Sequence, residues 1–269
     1  MLTKRDVISF SERLKFDNKV ICLHSSFKSF GNTENGPNTI IDGLIESGAT
    51  ILAPSFYYHC GTAPQNDNPY MNNGIDYSIE EHKQPASYED SAEQIDSSMG
   101  IIPKVMLRYS EAIRSRHPEN SFVAIGSYAK VLTEPQSLLN VYAPYKLIYK
   151  SNIPAVIVLA GVNFTSCTPI HFAEELVGRG LFRRWGIHHG KLVEYEVGSC
   201  SDGFEKLAPY TKEIEKTDVL GDSPLRIYDF NVLIDSVVQI IRDNPDITHC
   251  ENPDCMRCND MILGGRRYR

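Results

Sequence analysis

The sequence has no apolar run approaching the roughly 20 residues that a membrane-spanning helix needs. Its opening carries Lys4, Arg5, Asp6, Glu12 and Arg13 where a secretory signal would hold an unbroken apolar stretch, so the expected location is the cytoplasm. A basic excess is also missing. The chain has 27 Lys and Arg against 34 Asp and Glu, a formal net charge of −7, which argues against the basic footprint of a nucleic-acid protein. An acidic surface favours a cationic ligand only weakly, since many enzymes carry one for solubility. Internal repeats, low-complexity tracts and a Pro/Ser-rich linker are lacking, so residues 1–269 are read as one domain. Walker and Rossmann glycine patterns are absent, and so is a G-x-S-x-G nucleophile elbow. The seven cysteines are an odd number with a single C-x-x-C pair, which speaks against a secreted disulfide framework.

What is present is an ordinary globular composition, 42% hydrophobic and 23% charged, with length enough for a sizeable core. Thr3 can cap an amphipathic helix through Val7, Ile8, Phe10 and Leu14, and a short strand follows at Val20 to Leu23. Pro37 starts a helix through Ile40, Ile41 and Leu44, and residues 49–53 read as a second buried strand. Strand, helix, strand is the seed of a parallel sheet. Helices are expected near residues 100–110 and 126–132, a strongly apolar strand at 155–159, a helix from a Thr168 cap through Leu176, and a strand at 191–197 after a Gly190 turn. Residues 204–214 and 230–241 read as further helices. The stretch near 57–96 is long and irregular, which marks it as an elaborated functional loop region.

Three segments carry candidate chemistry. His24, Ser25, Ser26, Ser29 and Gly31 lie where a buried strand gives way to a hydroxyl-rich loop that can hold phosphate oxygens, or else is a turn satisfying its own backbone. Arg114, Ser115, His117, Pro118 and Ser121 gather anion-binding side chains around a Pro that forces an extended chain; a solvated basic turn is the plain alternative. On the helix after Thr168, His171 and Glu174 stand three residues apart and share a face, so the carboxylate can hold the imidazole, with Glu175 as a second geometric candidate. A structural His–Glu pair at a helix start is the competing reading.

A fourth segment, residues 249–269, holds His249, Cys250, Cys255 and Cys258. The donor types suit zinc, but a lone C-x-x-C pair lacks the second pair of a zinc ribbon, and no metal is assigned. Asp260 and the basic end Arg266 to Arg269 read as solvated terminal features.

Taken in order, these segments resemble the aminoglycoside 3-N-acetyltransferase, or antibiotic N-acetyltransferase, family. The resemblance runs through His24-Ser25-Ser26, Pro54-Ser55-Phe56, Ser98-Met99-Gly100, the stretch from Arg114 to Pro118 with Ser121, Ala143-Pro144 with Leu147, and Gly161 to Glu174. It departs at Ala143, where the family often has Ser, in residues 57–96, and at the cysteine-bearing end. The resemblance implies a layered α/β/α fold with a central mixed sheet, distinct from the GNAT acetyltransferases. It further implies that acetyl-CoA is the cosubstrate, bordered by the His24 to Gly31 and Arg114 to Ser121 segments, and that His171 is the base; the helix spacing makes Glu174 its candidate orienter, with Glu175 in reserve. The expected acceptor is a cationic small-molecule amine of an aminoglycoside or similar amino sugar. Tyr57, Asp90 and Glu175 are taken as substrate-binding; Asp67, Asp76, Glu80, Glu81, Tyr58, Tyr70 and Tyr77 are further residues suited to ammonium pairing or sugar stacking. Neither nucleic acid nor membrane is expected as a partner, and a homodimer is left open. The alternatives are acylation of a different small-molecule amine, a non-catalytic CoA-binding protein, and a hydrolase using a nucleophilic Ser or Cys, for example Cys167, with His171.

Overall fold

The computed structural model describes residues 1–79 and 84–269. Its centre is the strand Val20–Ser25, whose alternate residues enter different apolar clusters. Ile21 and Leu23 pack with Val7, Phe10, Ile40 and Ile41, whereas Val20 and Cys22 pack with Phe122, Ile157 and Phe230. A strand covered on both faces needs apolar residues at successive positions, which is why it reads as a continuous run.

This strand lies inside a seven-stranded sheet ordered Lys216–Leu220, Ser223–Asp229, Ala155–Ala160, Val20–Ser25, Thr50–Pro54, Phe122–Ile125, Ile113–Arg114. It runs parallel to both neighbours, with Val20 opposite Thr50 on one side and Ala155 on the other. The remaining pairings are antiparallel, so the sheet is mixed. Helices Lys4–Arg13, Pro37–Glu46 and Ile101–Met106 cover one face; Ala143–Ser151, Pro169–Leu176 and Phe230–Asp243 cover the other. The expected α/β/α layering with a mixed sheet is what the chain adopts. Among the described residues, no helix is long and apolar enough to cross a membrane.

Thr3 forms the expected cap, as a capping box: its Oγ1 accepts from Asp6 N–H at 3.2 Å while Asp6 Oδ2 accepts from Thr3 N–H at 2.9 Å. Thr168 precedes its helix as expected, yet its side chain makes no capping bond; Pro169 at the first turn removes one of the donors a cap would serve. The segment Phe204–Ile214 is helical but 3₁₀, with Pro209 inside it unable to donate in an α-helical ladder.

The strand Phe182–His188 was hidden from periodicity by Arg183 and Arg184. It pairs across Gly190 with Lys191–Val197, where Arg183 is buried against Glu196 at 3.1 Å and Glu194 at 3.4 Å. With Gly61–Thr62 this hairpin forms a three-stranded sheet around Cys60, Tyr88, Tyr195 and Met261. The C-terminal backbone is anchored while its side chains from Arg267 to Arg269 stay exposed, as expected: Arg267–Tyr268 pairs with Tyr70–Met71, whereas Asp260 is half-buried and accepts from Gly74 N–H at 2.7 Å.

Candidate active site

A cleft of about 940 Å³ opens at the C-terminal ends of the parallel strands. Its floor includes Leu23, His24 and Ser25 from one strand and Ala53 and Pro54 from the next, with Val162 following Ala155–Ala160 on the other side. The two neighbours flank the Val20–Ser25 strand on opposite sides, which makes this the crevice where open α/β sheets bind ligands.

His171 lines this cleft from the first turn of Pro169–Leu176. Its Nδ1 lies 3.0 Å from Glu174 Oε2, and its side chain is 11% exposed against 1% for the glutamate. Ser199 Oγ donates to the same Oε2 at 2.6 Å, and Arg179 Nη1 donates to the other oxygen at 2.9 Å. A carboxylate only accepts, so the Nδ1 facing it carries a proton, and in the neutral ring the lone pair then sits on Nε2. Nε2 has no hydrogen bond among the described residues. Tyr142 lies parallel to the imidazole, ring centroids 5.9 Å apart and 9° from parallel, and Phe204 packs against it tilted, with centroids 4.8 Å apart. Gly198 passes so close that a Cβ there would stand 2.3 Å from the Tyr142 hydroxyl and 2.8 Å from His171 Cγ.

The first loop joins His171 at the cleft only in part. His24, Ser25 and Ser26 line it, and the two serine hydroxyls have no partner among the described residues. His24 is buried, its Nε2 has no partner among the described residues, and burial pushes its imidazole down to about 3. Ser29 turns away to Ser223 Oγ at 2.6 Å and the Ser26 carbonyl at 2.7 Å. Gly31 likewise stays outside, holding φ +70° against Asp222.

In the second segment, the residues singled out face inward. Arg114 donates to the carbonyls of Ser91, Ser55 and Gln94, each at 2.6 Å, and to Ser121 Oγ at 3.0 Å. Ser115 exchanges bonds with the Phe122 backbone, and His117 Nδ1 accepts from Asn120 N–H at 2.9 Å. The Pro118 carbonyl accepts from Cys60 at 3.4 Å, and Ser121 Oγ donates to the Ser55 carbonyl at 2.8 Å. None of these five residues lines the cleft; Glu119 and Asn120, enclosed in the same segment, do. Burial raises the Glu119 carboxyl above its usual range, opposed by a 2.8 Å bond from Tyr195 OH and the charges of Arg184 and Arg257. Asn120 Oδ1 is buried with no partner among the described residues.

The residues taken as substrate-binding lie off the cleft. Tyr57 packs edge-on against His59 and tilted against Tyr88, Asp90 pairs with His189 at 3.0 Å, and Glu175 pairs with Lys146 at 2.8 Å. Tyr58 does line it, whereas Asp67, Asp76, Tyr70 and Tyr77 do not. Glu80 and Glu81 lie outside the described residues. Cys167 is fully buried away from the cleft, and burial pushes its thiol far up, so the hydrolase alternative lacks a nucleophile there.

Sequence reasoning missed Arg184, Ser199, Cys200, Asp202 and Arg257, all of which line the cleft. The only signal was the polar run Gly198-Ser199-Cys200-Ser201-Asp202 after a strand. Cys200 meets Cys250, Cys255 and Cys258, with all four sulfurs within 4.8 Å of one another.

The aminoglycoside 3-N-acetyltransferase family matches residues 22–242 of this chain. The aminoglycoside N(3)-acetyltransferase IX of Micromonospora chalcea is 27% identical over 169 residues, which are 60% of this chain and 57% of the relative, so the match spans under two thirds of that relative's length. The crystal structure of aminoglycoside acetyltransferase AAC(3)-IVa, apoenzyme, superposes with a TM-score of 0.75 at 20% identity, covering 98% of each chain. The structure of AAC-IIIb in binary complex with CoASH gives a TM-score of 0.68 at 18% identity, covering 90% of this chain and 96% of that one. With most of its length matched, and its sheet and cleft described above, this chain belongs to the aminoglycoside 3-N-acetyltransferase family.

Proposed function

We propose that the chain transfers the acetyl group of acetyl-CoA directly to an amine of an aminoglycoside or similar amino sugar, with His171 as general base. The observation that carries this reading is the His171–Glu174 pair: the buried carboxylate holds Nδ1–H and leaves Nε2 unpartnered at the cleft. Family membership supports the reaction class, and the CoASH complex of a structural relative supports the cosubstrate.

An alkylammonium has no lone pair for attack, so the amine must first lose a proton. That proton goes to solvent; Nε2 of His171 then accepts a second N–H proton as the free amine nitrogen bonds to the acetyl carbon, Glu174 balances the imidazolium that forms, and the imidazolium proton neutralises the departing thiolate. Tyr142, Phe204 and Gly198 hold the ring in plane, so the base loses little orientation on binding. Acetyl-CoA supplies an activated acyl carbon whose thiolate leaves. The residues present suit it: a buried His24 Nε2 and the hydroxyls of Ser25 and Ser26, none with a partner among the described residues, and Lys28 all line one cleft. Ser25 and Ser26 are the candidate donors to the developing oxyanion. Glu119, Asp202 and Asn120 Oδ1 are acceptors suited to the ammonium groups of a polycationic acceptor.

Purified protein with acetyl-CoA and a thiol reporter, run over a panel of amines, tests the reading. Thiol release that requires an aminoglycoside supports it. Release without any amine indicates a hydrolase, and tight CoA binding without release indicates a binding protein; either result rejects it.

A further inference from the structure

We infer that Cys200, Cys250, Cys255 and Cys258 form a structural zinc site that ties the C-terminal segment to the loop bearing Ser199. The four sulfurs come from two regions distant in sequence and lie within 4.8 Å of one another. Zinc–sulfur bonds of about 2.3 Å in a tetrahedron place sulfurs about 3.8 Å apart, so a small contraction completes the geometry. All four cysteines are unpaired; Cys250 and Cys258 are buried, and the other two are half-buried.

A second observation points the same way. Cys250 N–H donates to Cys258 Sγ at 3.3 Å, the kind of backbone donor that stabilises a metal-bound thiolate. His249, the fourth donor suggested by proximity in sequence, is committed elsewhere: Nδ1 bonds the Cys250 carbonyl at 2.8 Å and Nε2 bonds Asn259 Oδ1 at 2.9 Å. An all-thiolate set selects a soft cation, and four protein donors leave zinc no open position for water, so the site is structural. Binding displaces the thiol protons to solvent and leaves a dianionic centre.

The sequence left zinc unassigned because a second cysteine pair is missing, and Cys200 supplies a fourth thiol beside the three of the C-terminal segment. The two segments are already in close contact: Gly203 leaves no room for a Cβ, which would stand 2.4 Å from the His249 carbonyl, and Lys206 Nζ donates to that carbonyl at 2.9 Å. Ser199, next to Cys200, bonds Glu174, and Arg257, between Cys255 and Cys258, lines the cleft. The metal would hold both at the site wall, whatever reaction the cleft performs.

The test is metal analysis of the full-length protein isolated without chelator. The expected result is close to one zinc per chain, sulfur-only coordination at about 2.3 Å by X-ray absorption, and zinc release in step with mercurial titration of the thiols. Cys200→Ser and Cys258→Ser should each lose the metal, while His249→Ala keeps it. Four outcomes overturn the site: no zinc before or after incubation with zinc, bound iron instead, disulfides among the four cysteines, or zinc lost by His249→Ala but retained by Cys200→Ser. The first three use the unmodified protein, so a misfolded variant cannot obscure them.

Discussion

Glu174 divides its carboxylate among three partners: one oxygen lies 3.0 Å from His171 Nδ1 and accepts from Ser199 Oγ at 2.6 Å, and the other accepts from Arg179 Nη1 at 2.9 Å. The imidazole is therefore oriented by a carboxylate that is itself fixed, because Arg179 also donates to Thr248 Oγ1 at 2.8 Å and to the Pro245 carbonyl.

Replacing His171 by Ala should reduce amine acetylation by about 10² to 10⁴-fold in kcat with CoA affinity unchanged, since a base acts chiefly in the transition state. Glu174→Gln should cost less turnover, because the amide keeps acceptor capacity but loses the charge that favours imidazolium. Steady-state kinetics beside calorimetric CoA affinity check both; near-normal turnover by His171→Ala would remove it from the mechanism.

Gly198→Ala should lower kcat without weakening CoA binding. The added methyl has to displace Tyr142 or His171, which leave it 2.3 and 2.8 Å of clearance. Displacements on the order of 1 Å in catalytic geometry cost up to about 100-fold. Far-ultraviolet circular dichroism and kinetics on the same sample separate misfolding from a misplaced base.

Ser26→Glu should weaken CoA binding, because it puts bulk and negative charge on a free hydroxyl position lining the cleft. Isothermal titration with CoA reads the effect, and an unchanged affinity in a folded variant places the cofactor elsewhere.

Stability should fall as the solution is acidified below the ordinary histidine range. Burial pushes His24 and His117 down to about 3, so between about 6.5 and 3 the unfolded chain binds protons that the folded chain refuses. Each contributes roughly 1.4 kcal/mol of loss per pH unit within that window, and none above it. Protonating His117 would also set Nδ1–H against the Glu119 and Asn120 amides it now accepts from. Urea midpoints between pH 7 and 5.5 measure the slope, and His117→Gln should reduce it.

The sequence by itself determined the features governed by short repeats along the chain. Burial on both faces made the Val20–Ser25 strand legible, the Thr3–Asp6 box followed from local spacing, and one helical turn brought Glu174 to His171. Motif order carried the family resemblance from His24 to Glu174.

Only the tertiary structure decided which polar groups reach the cleft. Arg114 and Glu119 stand five positions apart in one segment, yet the guanidinium spends its donors on buried carbonyls while the carboxyl lines the cavity. Nothing in their spacing distinguishes them, because the carbonyls of Ser55, Ser91 and Gln94 that hold the arginine inward come from other segments of the chain. Ser199 reaching Glu174, and Cys200 joining the cysteines fifty and more positions later, depend on the path of the hairpin and the docked C-terminal segment. Contacts across such separations leave no periodic trace in the sequence; they exist because the folded core brings the two loops together.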